Sequence, residues 1–144
     1  MASSTSIGTL FSVSTAAPAT LDAAGYAALT YTQVGEITEI PEFGAEHAVV
    51  THTPLATGVV DKQHGEVNYG SLTIPFAEDV DAGQTLLSTA LANKTVISVK
   101  VAFPSGRIRY FRARVFSTRV SASTGSVVSG SAMVEIISPI VLVS

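Results

Sequence analysis

The fold of this chain is decided by one stretch, EVNYGSLTIPFAEDVDAGQTLLSTALANKTVISVKVAFPSGRIRYFRARVFST (Glu66–Thr118). It predicts a bent strand, a short helix and a two-stranded hairpin that follow one another with little linker. In a regular strand Val67 and Tyr69 would lie on one face, whereas the apolar residues after Gly70 would lie on the other face. We therefore expect a bulge or bend at Gly70 and Ser71, because such a change of phase interrupts the regular pleat.

The helix of this stretch is predicted over Ala82–Ala92. Asp81 precedes it as an N-cap, and Gln84 follows three residues later, where its side chain can reach back to the cap as in a capping box. Asn93 stands where a left-handed C-terminal residue is tolerated. Four apolar residues recur at the spacing of one helical face, which we expect to pack on the core: Leu86, Leu87, Ala90 and Leu91.

A two-stranded hairpin follows the helix. From 95 to 103 the residues alternate between two faces, and the pattern predicts a strand whose first face is buried. That face carries Thr95, Ile97, Val99, Val101 and Phe103, and the other face carries Val96, Ser98, Lys100 and Ala102. The sequence Pro-Ser-Gly at 104–106 predicts a turn, and Arg107–Thr118 returns as the partner strand. Because the leucine face of the helix needs an apolar surface, we expect helix and hairpin to pack together.

The rest of the chain predicts a mainly β protein, a β-sandwich or open barrel with one short flanking helix at about 81–92. We predict a single domain over residues 18–138, with an N-terminal arm at 1–17 and a C-terminal tail at 139–144. The arm either orders only against a neighbour or is a frayed terminus, the commoner case for an isolated chain. The tail is expected either to pack on the body or to extend a neighbour's sheet. Further elements are predicted at Ala23–Leu29 (helical), Tyr31–Ile37 (strand) and Val127–Ile137 (strand, with Ala132, Val134 and Ile136 on one face).

A long acidic loop is predicted at about 36–61. Prolines and a glycine interrupt it at Pro41, Gly44 and Pro54, and its one short apolar piece is Ala48–Val50. Loops of this length are uncommon inside compact domains and are often functional. We therefore interpret it as an arm that reaches another subunit.

The composition also indicates a protein that assembles. Charged residues make up 13% of the chain and hydrophobic residues 47%, whereas about 25% charged residues is typical of globular domains. No run approaches the ~20 apolar residues of a spanning helix, and the beginning, MASSTS, lacks the features of a signal peptide. Burial of surface between subunits explains the shortage of charge better than a membrane does.

The charges are distributed unevenly along the chain. Up to Asp61 there are six acidic residues and no Lys or Arg, whereas eight basic and five acidic residues follow from Lys62 onward. Opposite signs on two parts of one domain suit copies that bind head to tail, since such contacts join two different surfaces. The alternative is that the acidic loops are simply solvated.

No pattern of catalytic chemistry is present in the sequence. The histidines His47, His52 and His64 have neither a metalloprotease spacing nor the two-residue spacing that would place two of them on one strand face. We interpret them as exposed loop histidines, and we predict no metal site, no cofactor and no catalytic residue. The carboxylates Asp79 and Asp81 at the helix start are assigned to dipole and capping roles.

Arginines recur on the second hairpin strand, where binding to nucleic acid has to be considered. In a regular strand Arg107 and Arg109 face opposite to Arg112 and Arg114, so no single basic face forms. The net charge of −3 is also unlike that of the strongly basic domains that bind the phosphates of nucleic acid. We therefore predict that these arginines pair with acidic residues of another subunit.

Four segments in order, DAAGYAALTYTQVGEITEIPEFG (Asp22–Gly44), THTPLATG (Thr51–Gly58), EDVDAGQTLLSTAL (Glu78–Leu91) and FPSGRIRYFRARV (Phe103–Val115), carry a family resemblance. Together the chain resembles the major tail tube proteins of long, non-contractile-tailed phages (siphophages) over about Pro18 to Ile137. The resemblance implies a β-sandwich whose copies form hexameric rings with a joint inner barrel, and rings that stack into a tube.

The resemblance also implies partners and residue roles. The tube would hold a tape-measure protein, conduct DNA during ejection, and join tail tip or baseplate and tail terminator proteins; it would belong to the virion, be assembled in the host cytoplasm and have no membrane partner. One set of contact residues follows by position. The contacts between rings would be made by Glu39, Glu42, Phe43, Glu46, His52 and Asp61. Separately from the resemblance, our own prediction is that Arg107, Arg109, Arg112 and Arg114 mostly face the interfaces between subunits.

Two alternatives remain open. A related tail component, or a ring protein like those of secretion tubes, would form one ring without stacking. A secreted carbohydrate-binding or adhesive β-sandwich belongs to another class. The absence of Trp and the presence of only six Phe and four Tyr argue against that class, because sugar sites use aromatic stacking.

Overall fold

The computed structural model of this chain describes residues 5–143. Over that range it is mainly β, as the sequence predicts, with nine strands and two helices. The strands are β1 Leu10–Ser14, β2 Thr32–Gln33, β3 Glu46–His52, β4 Asp61–Asn68, β5 Ser71–Ala77, β6 Val96–Ala102, β7 Ile108–Ser121, β8 Ser129–Ile136 and β9 Val141–Val143. The helices are α1 Ala23–Ala27 and α2 Ala82–Asn93.

Seven of these strands form one antiparallel sheet in the order β2-β1-β6-β7-β8-β5, with β9 paired to β7. The two ends of the sheet approach each other, because Ile37, beyond β2, forms a bridge with Phe76 of β5. On either side of it, the N–H of Ala77 donates to Glu36 O at 2.9 Å and the N–H of Thr38 to Pro75 O at 3.1 Å. The sheet is thus an open barrel.

The core lies inside this curled sheet. Alternate residues of the strands supply it, together with Val34 and the helix residues Leu87 and Ala90. The predicted alternation of β8 is confirmed, and so is the buried face of β6 at Ile97, Val99 and Val101, although Ser98 on the other face is buried as well. Leu86 and Leu91 of the predicted helix face are only half-buried. The strand residues of the core are Phe11, Val13, Leu72, Ile74, Phe76, Ile97, Val99, Val101, Phe111, Ala113, Val115, Ala132, Val134 and Ile136.

The N-cap of α2 is confirmed, but the capping box is wrong. Asp81 accepts from the N–H of Gln84 at 3.1 Å. The Gln84 side chain does not return to Asp81, since its Oε1 accepts from the N–H of Asp79 and its Nε2 donates to Gly35 O and Ala77 O, all at 3.1 Å. Gln84 is buried, so its polar atoms need partners. The backbone groups of Asp79, Gly35 and Ala77 supply them.

The helix end differs from the prediction by one residue. Lys94, rather than Asn93, adopts the left-handed conformation, with φ 56° and ψ 38°. Its N–H reaches the carbonyls of Ala90 and Leu91, so it closes the last turn. Asn93 remains helical.

Two further expectations are corrected. The predicted strand Tyr31–Ile37 pairs with β1 only over Thr32–Gln33. The predicted N-terminal arm contains β1, which lies between β2 and β6 of the chain's own sheet, so this part needs no neighbour to order. The helical piece predicted at Ala23–Leu29 is confirmed as α1, which spans Ala23–Ala27 and is a second helix besides α2.

At the C-terminus, β9 pairs with the beginning of β7, so the tail packs on the body. The parts of the predicted arms at 1–4 and 144 lie outside the described residues.

Candidate assembly surfaces

A two-stranded ribbon projects from the barrel between β2 and β5. It consists of β3 and β4 paired antiparallel to each other and to no other described strand. Every residue of both strands is exposed, apart from the half-buried Gly65. The predicted loop over 36–61 is therefore wrong where β3 runs. Because both faces of this strand meet water, it lacks the apolar alternation by which a half-buried strand is recognised.

The ribbon changes register where β4 inserts an extra residue opposite Ala48. Gly65 lies at this bulge, and a Cβ there would stand 2.8 Å from Val50 Cγ2 and 3.1 Å from Ala48 O. Only glycine fits without a shift of these neighbours. The predicted bend at Gly70 is confirmed: its φ of +91° separates β4 from β5, and thus the ribbon from the barrel.

Apolar side chains stand out of the ribbon and its tip. Val49 is 66% exposed and Leu55 is fully exposed. An isolated two-stranded hairpin is marginally stable in water, and exposed apolar groups in one place mark a surface for association. Other members of this exposed set are Val50, Val59, Val60 and Val67.

The ribbon carries three of the six residues predicted to contact a neighbouring ring. Glu46 stands opposite Asn68 at the base, and His52 stands opposite Asp61 next to the tip. Glu39 and Glu42 lie exposed on the segment that leads to the ribbon.

Phe43 is the member of this set that is anchored to the body. It is half-buried, and its ring centroid lies 5.6 Å from that of Phe111 in the core. Tilted pairs at such distances stabilise aromatic packing. Phe43 therefore holds the segment before the ribbon against the barrel.

The four predicted interface arginines lie on or next to β7 and do not form one basic face. Arg107 is exposed in the β6–β7 turn, and Arg109 places its guanidinium 5.8 Å from the Phe103 ring. Arg112 and Arg114 alternate onto the other face.

The two arginines of that other face bond to backbone. Arg112 Nη2 donates to Val96 O at 3.4 Å, and Arg114 Nη1 donates to Lys94 O at 3.2 Å. The Nε of Arg112 is buried without a hydrogen-bond partner, which leaves one strong donor unused.

Three tyrosines cluster on the outer face of the sheet, beneath α1. The Tyr26 and Tyr110 rings stack at 5.4 Å, and Tyr31 lies 6.1 Å from Tyr110. Burial raises the pKa of the Tyr31 and Tyr110 phenols, and in Tyr31 the neighbouring tyrosines add to this effect. Lys100 lies 5.9 Å above the Tyr31 ring. Because Tyr26 belongs to α1 and Tyr110 to β7, the stacked pair packs α1 against the barrel.

A groove of about 860 Å³ opens beside the base of the ribbon. Its walls come from the segment 37–45, from Phe103 and Arg109 at the β6–β7 end, and from Ile140 and Leu142 near the C-terminus. Sequence reasoning missed this groove because its walls come from parts of the chain far apart in sequence.

The sheet also has an open edge on β7. β6 pairs with β7 only as far as Arg114, and no described strand pairs with the same edge of β7 from Val115 to Ser121. Phe116 and Val120 are 57% and 61% exposed there. A strand edge with unpaired N–H and C=O groups and exposed apolar side chains is a template for pairing with another chain.

Within residues 5–143, no group of three or more His, Asp or Glu side chains could hold a metal ion, and no helix is long and apolar enough to cross a membrane. The three histidines are exposed, as predicted, but they lie on the ribbon strands and not in loops.

Comparison with known proteins relates this chain to others by structure and not by sequence. No protein-family model and no curated protein matches it. Among solved structures, a chain of the virion of a native gene transfer agent particle is similar, with a TM-score of 0.72 and 13% identity over 99% of this chain and 100% of that chain.

Two further structures agree with this similarity. A chain of the six-fold symmetrised baseplate of the anti-feeding prophage has a TM-score of 0.71 and 10% identity, over 100% of this chain and 97% of that one. The tail tube protein of SPP1 has a TM-score of 0.64 and 14% identity, over 93% of this chain and 75% of that one. This chain shares its fold with these virion, baseplate and tail-tube chains.

Proposed function

We propose that this chain is a structural subunit that binds copies of itself in rings and that the rings stack into the tail tube of a phage or phage-like particle. The observation that carries the proposal is the likeness in fold to tail components over at least 93% of the chain. Open edges and an exposed ribbon support it, because a subunit covered by neighbours on several sides has both.

Within a ring, the open edge of β7 would pair with a strand of the next subunit. The opposite end of the sheet, β5, has only the single bridge at Ile37 beyond its pairing with β8. An edge that pairs with a different edge of the next copy makes a head-to-tail contact, and such contacts close into rings. Repeated around six copies, the sheets would join into one inner barrel.

Between rings, the ribbon would reach the adjacent ring. Its exposed valines and Leu55 would be buried there, and the acidic Glu46 and Asp61 would lie near basic side chains such as those of Arg107 and Arg114. Such pairs would select the register of stacking more than they would add affinity.

The proposal extends to the type of tail and to the partners of the tube. In a long, non-contractile phage tail the lumen would hold a tape-measure protein and later conduct DNA, and the ends would meet tail tip and terminator proteins. The low net charge of −3 supports a conduit, since a strongly basic lining would bind the phosphates of DNA tightly.

A second candidate is a component that forms one ring at the end of a tube. The full-length similarity to a baseplate chain favours it. The two functions differ in the length of the assembly, because an end ring does not stack on further copies of itself.

Electron microscopy of the purified chain over a concentration series tests the proposal. We expect stacked rings with a central channel. The matched variant replaces Ala48–Glu66, most of the ribbon, by Asn-Gly, which favours a tight hairpin turn. This variant should form single rings or monomers but no stacks.

Three outcomes decide between the hypotheses. If the ribbon variant formed stacks equally well, the ribbon would not make the contact between rings. Single rings of the unaltered chain at every concentration would identify an end ring. Monomers at every concentration, also under crowding by polyethylene glycol, would contradict self-assembly.

A further inference from the structure

Two histidines meet across the ribbon although they are far apart in the sequence. His47 belongs to β3 and His64 to β4, and their ring centroids lie 5.0 Å apart. The register places His47 opposite Val67 and Val49 opposite His64, and the bulge between these pairs keeps both imidazoles on one face. If the same residues paired one to one without the bulge, His64 would stand opposite Val50, three positions from His47, and the two rings would face opposite sides.

The distance between the rings suits two imidazoles that share one metal ion. A Zn–N bond is about 2.0–2.1 Å long, and a ring centre lies about 1.1 Å beyond its nitrogen. For N–metal–N angles of about 90–110° the two ring centres are then roughly 4.5–5.2 Å apart. The observed 5.0 Å falls in this range.

The two rings can adopt the required orientation at low cost. They stand edge to face, with 75° between their planes, and a rotation about the terminal side-chain torsions would bring one nitrogen of each to a common point. Those torsions are broad for histidine. Both side chains are exposed, and the backbone beneath them is set by the bulge at Gly65.

We propose that His47 and His64 form a binding site for a divalent transition-metal cation of the kind that prefers imidazole nitrogen, such as Zn²⁺, Ni²⁺ or Cu²⁺. Soft or borderline cations of this group bind imidazole, whereas Mg²⁺ and Ca²⁺ prefer oxygen ligands. Water completes the coordination sphere in the single chain, because the described residues bring no third His, Asp or Glu to the pair.

Lys62 moderates the affinity of the site. It lies opposite Thr51, on the same face as His64 two residues away, and its charge repels a cation. The site is therefore expected to be exchangeable rather than structural. A site with two protein ligands is not expected to supply the folding energy of the ribbon, in contrast to closed four-ligand sites.

Titration of the full chain with Cu²⁺ in a calorimeter, together with pulsed electron paramagnetic resonance, tests this proposal. Cu²⁺ is the strongest-binding divalent ion of the series. We expect one ion per chain, coordinated by two imidazoles. His47→Ala and His64→Ala should each weaken binding at least about tenfold, because loss of a ligand costs no less than loss of its supporting partner.

The chain provides a matched control in His52→Ala. His52 is exposed on the same ribbon and follows His47 by five positions, so it alternates onto the other face. Its removal should leave both the affinity and the two-imidazole signal unchanged. An equal loss in all three variants, or binding that persists when both His47 and His64 are replaced, would overturn the proposal.

Discussion

The carboxylate of Asp81 accepts a hydrogen bond of 3.0 Å from the backbone N–H of Gly35, which stands 46 positions earlier in the chain. The same oxygen, Oδ2, accepts from the N–H of Gln84 at the start of α2. One side chain therefore caps the helix and also ties it to the segment through which the barrel nearly closes.

Asp81→Ala should lower the free energy of unfolding by about 1–3 kcal/mol, because it removes the cap and leaves the N–H of Gly35 unpaired. Urea unfolding measures the change. Asp79→Ala is the matched control: the Asp79 side chain bonds only to the adjacent Val80 N–H and is exposed, so a change within about 0.5 kcal/mol is expected. Equal effects of the two substitutions would contradict the tie through Asp81.

Leu87→Ala should cost about 2–5 kcal/mol, since the side chain is 1% exposed and its removal leaves a cavity. The fully exposed Leu55 at the ribbon tip provides the same substitution without a cavity. Leu55→Ala should therefore leave the unfolding midpoint of the monomer nearly unchanged. A small effect at Leu87 would mean that α2 does not pack on the core.

Gly83→Ala should destabilise the protein although alanine favours helices over glycine by about 1 kcal/mol. A Cβ at this position would lie 2.4 Å from Gln33 O and 2.6 Å from Val34 Cα, so α2 would have to move away from β2. Thermal unfolding measures the loss. Ser88→Ala, at an exposed position of the same helix, should be neutral or slightly stabilising; a similar gain at Gly83 would show that the contact with β2 is loose.

The variant with Asn-Gly in place of Ala48–Glu66 should unfold with nearly the same free energy as the unaltered monomer. All of the ribbon residues that it removes are exposed or half-buried, and none belongs to the core cluster. Circular dichroism and urea unfolding check this expectation. A loss of cooperative unfolding would mean that the barrel depends on the ribbon.

Stability should fall in alkaline solution because the phenols of Tyr31 and Tyr110 have a raised pKa in the folded state. The stability that comes from keeping them neutral is fully present below the unfolded pKa of about 10. It is lost as the pH rises from there toward the folded values, since the unfolded chain releases its protons first. Phenolate absorbance and the urea midpoint, measured together from pH 8 upward, follow both events.

Tyr31→Phe should reduce this alkaline loss because it removes one of the two phenols. The variant also loses the bond from the Tyr31 hydroxyl to Tyr26 O, so its stability at neutral pH should be slightly lower. An alkaline profile as steep as that of the unaltered chain would assign the loss to other groups.

Elements whose residues carry their own period could be predicted from the sequence. Asp81 begins α2 and the Leu87 face is buried, the apolar face of β6 and the alternation of β8 match their burial, and Gly70 marks the bend. In each case the signal is local, because the apolar residues of a half-buried helix or strand recur at a fixed spacing within a short segment.

Features that depend on distant partners could not be predicted. Gln84 is a plausible capping-box residue by spacing, yet it bonds to Gly35 and Ala77 because the segment after β2 and the end of β5 bring buried carbonyls to it. The ribbon strand Glu46–His52 lacks an apolar period since neither of its faces is buried in the chain.

Local patterns in the sequence predict a mainly β domain with a capped helix, a β6–β7 hairpin and an exposed acidic projection before Gly70. Three features depend on how the elements are arranged: β1 lies inside the sheet, Ile37 meets Phe76 and brings the barrel ends together, and a bulge sets His47 beside His64. The spacing of apolar residues indicates which face of an element is buried. A contact between remote segments depends on how the elements are arranged, so neither segment alone carries a pattern that predicts it.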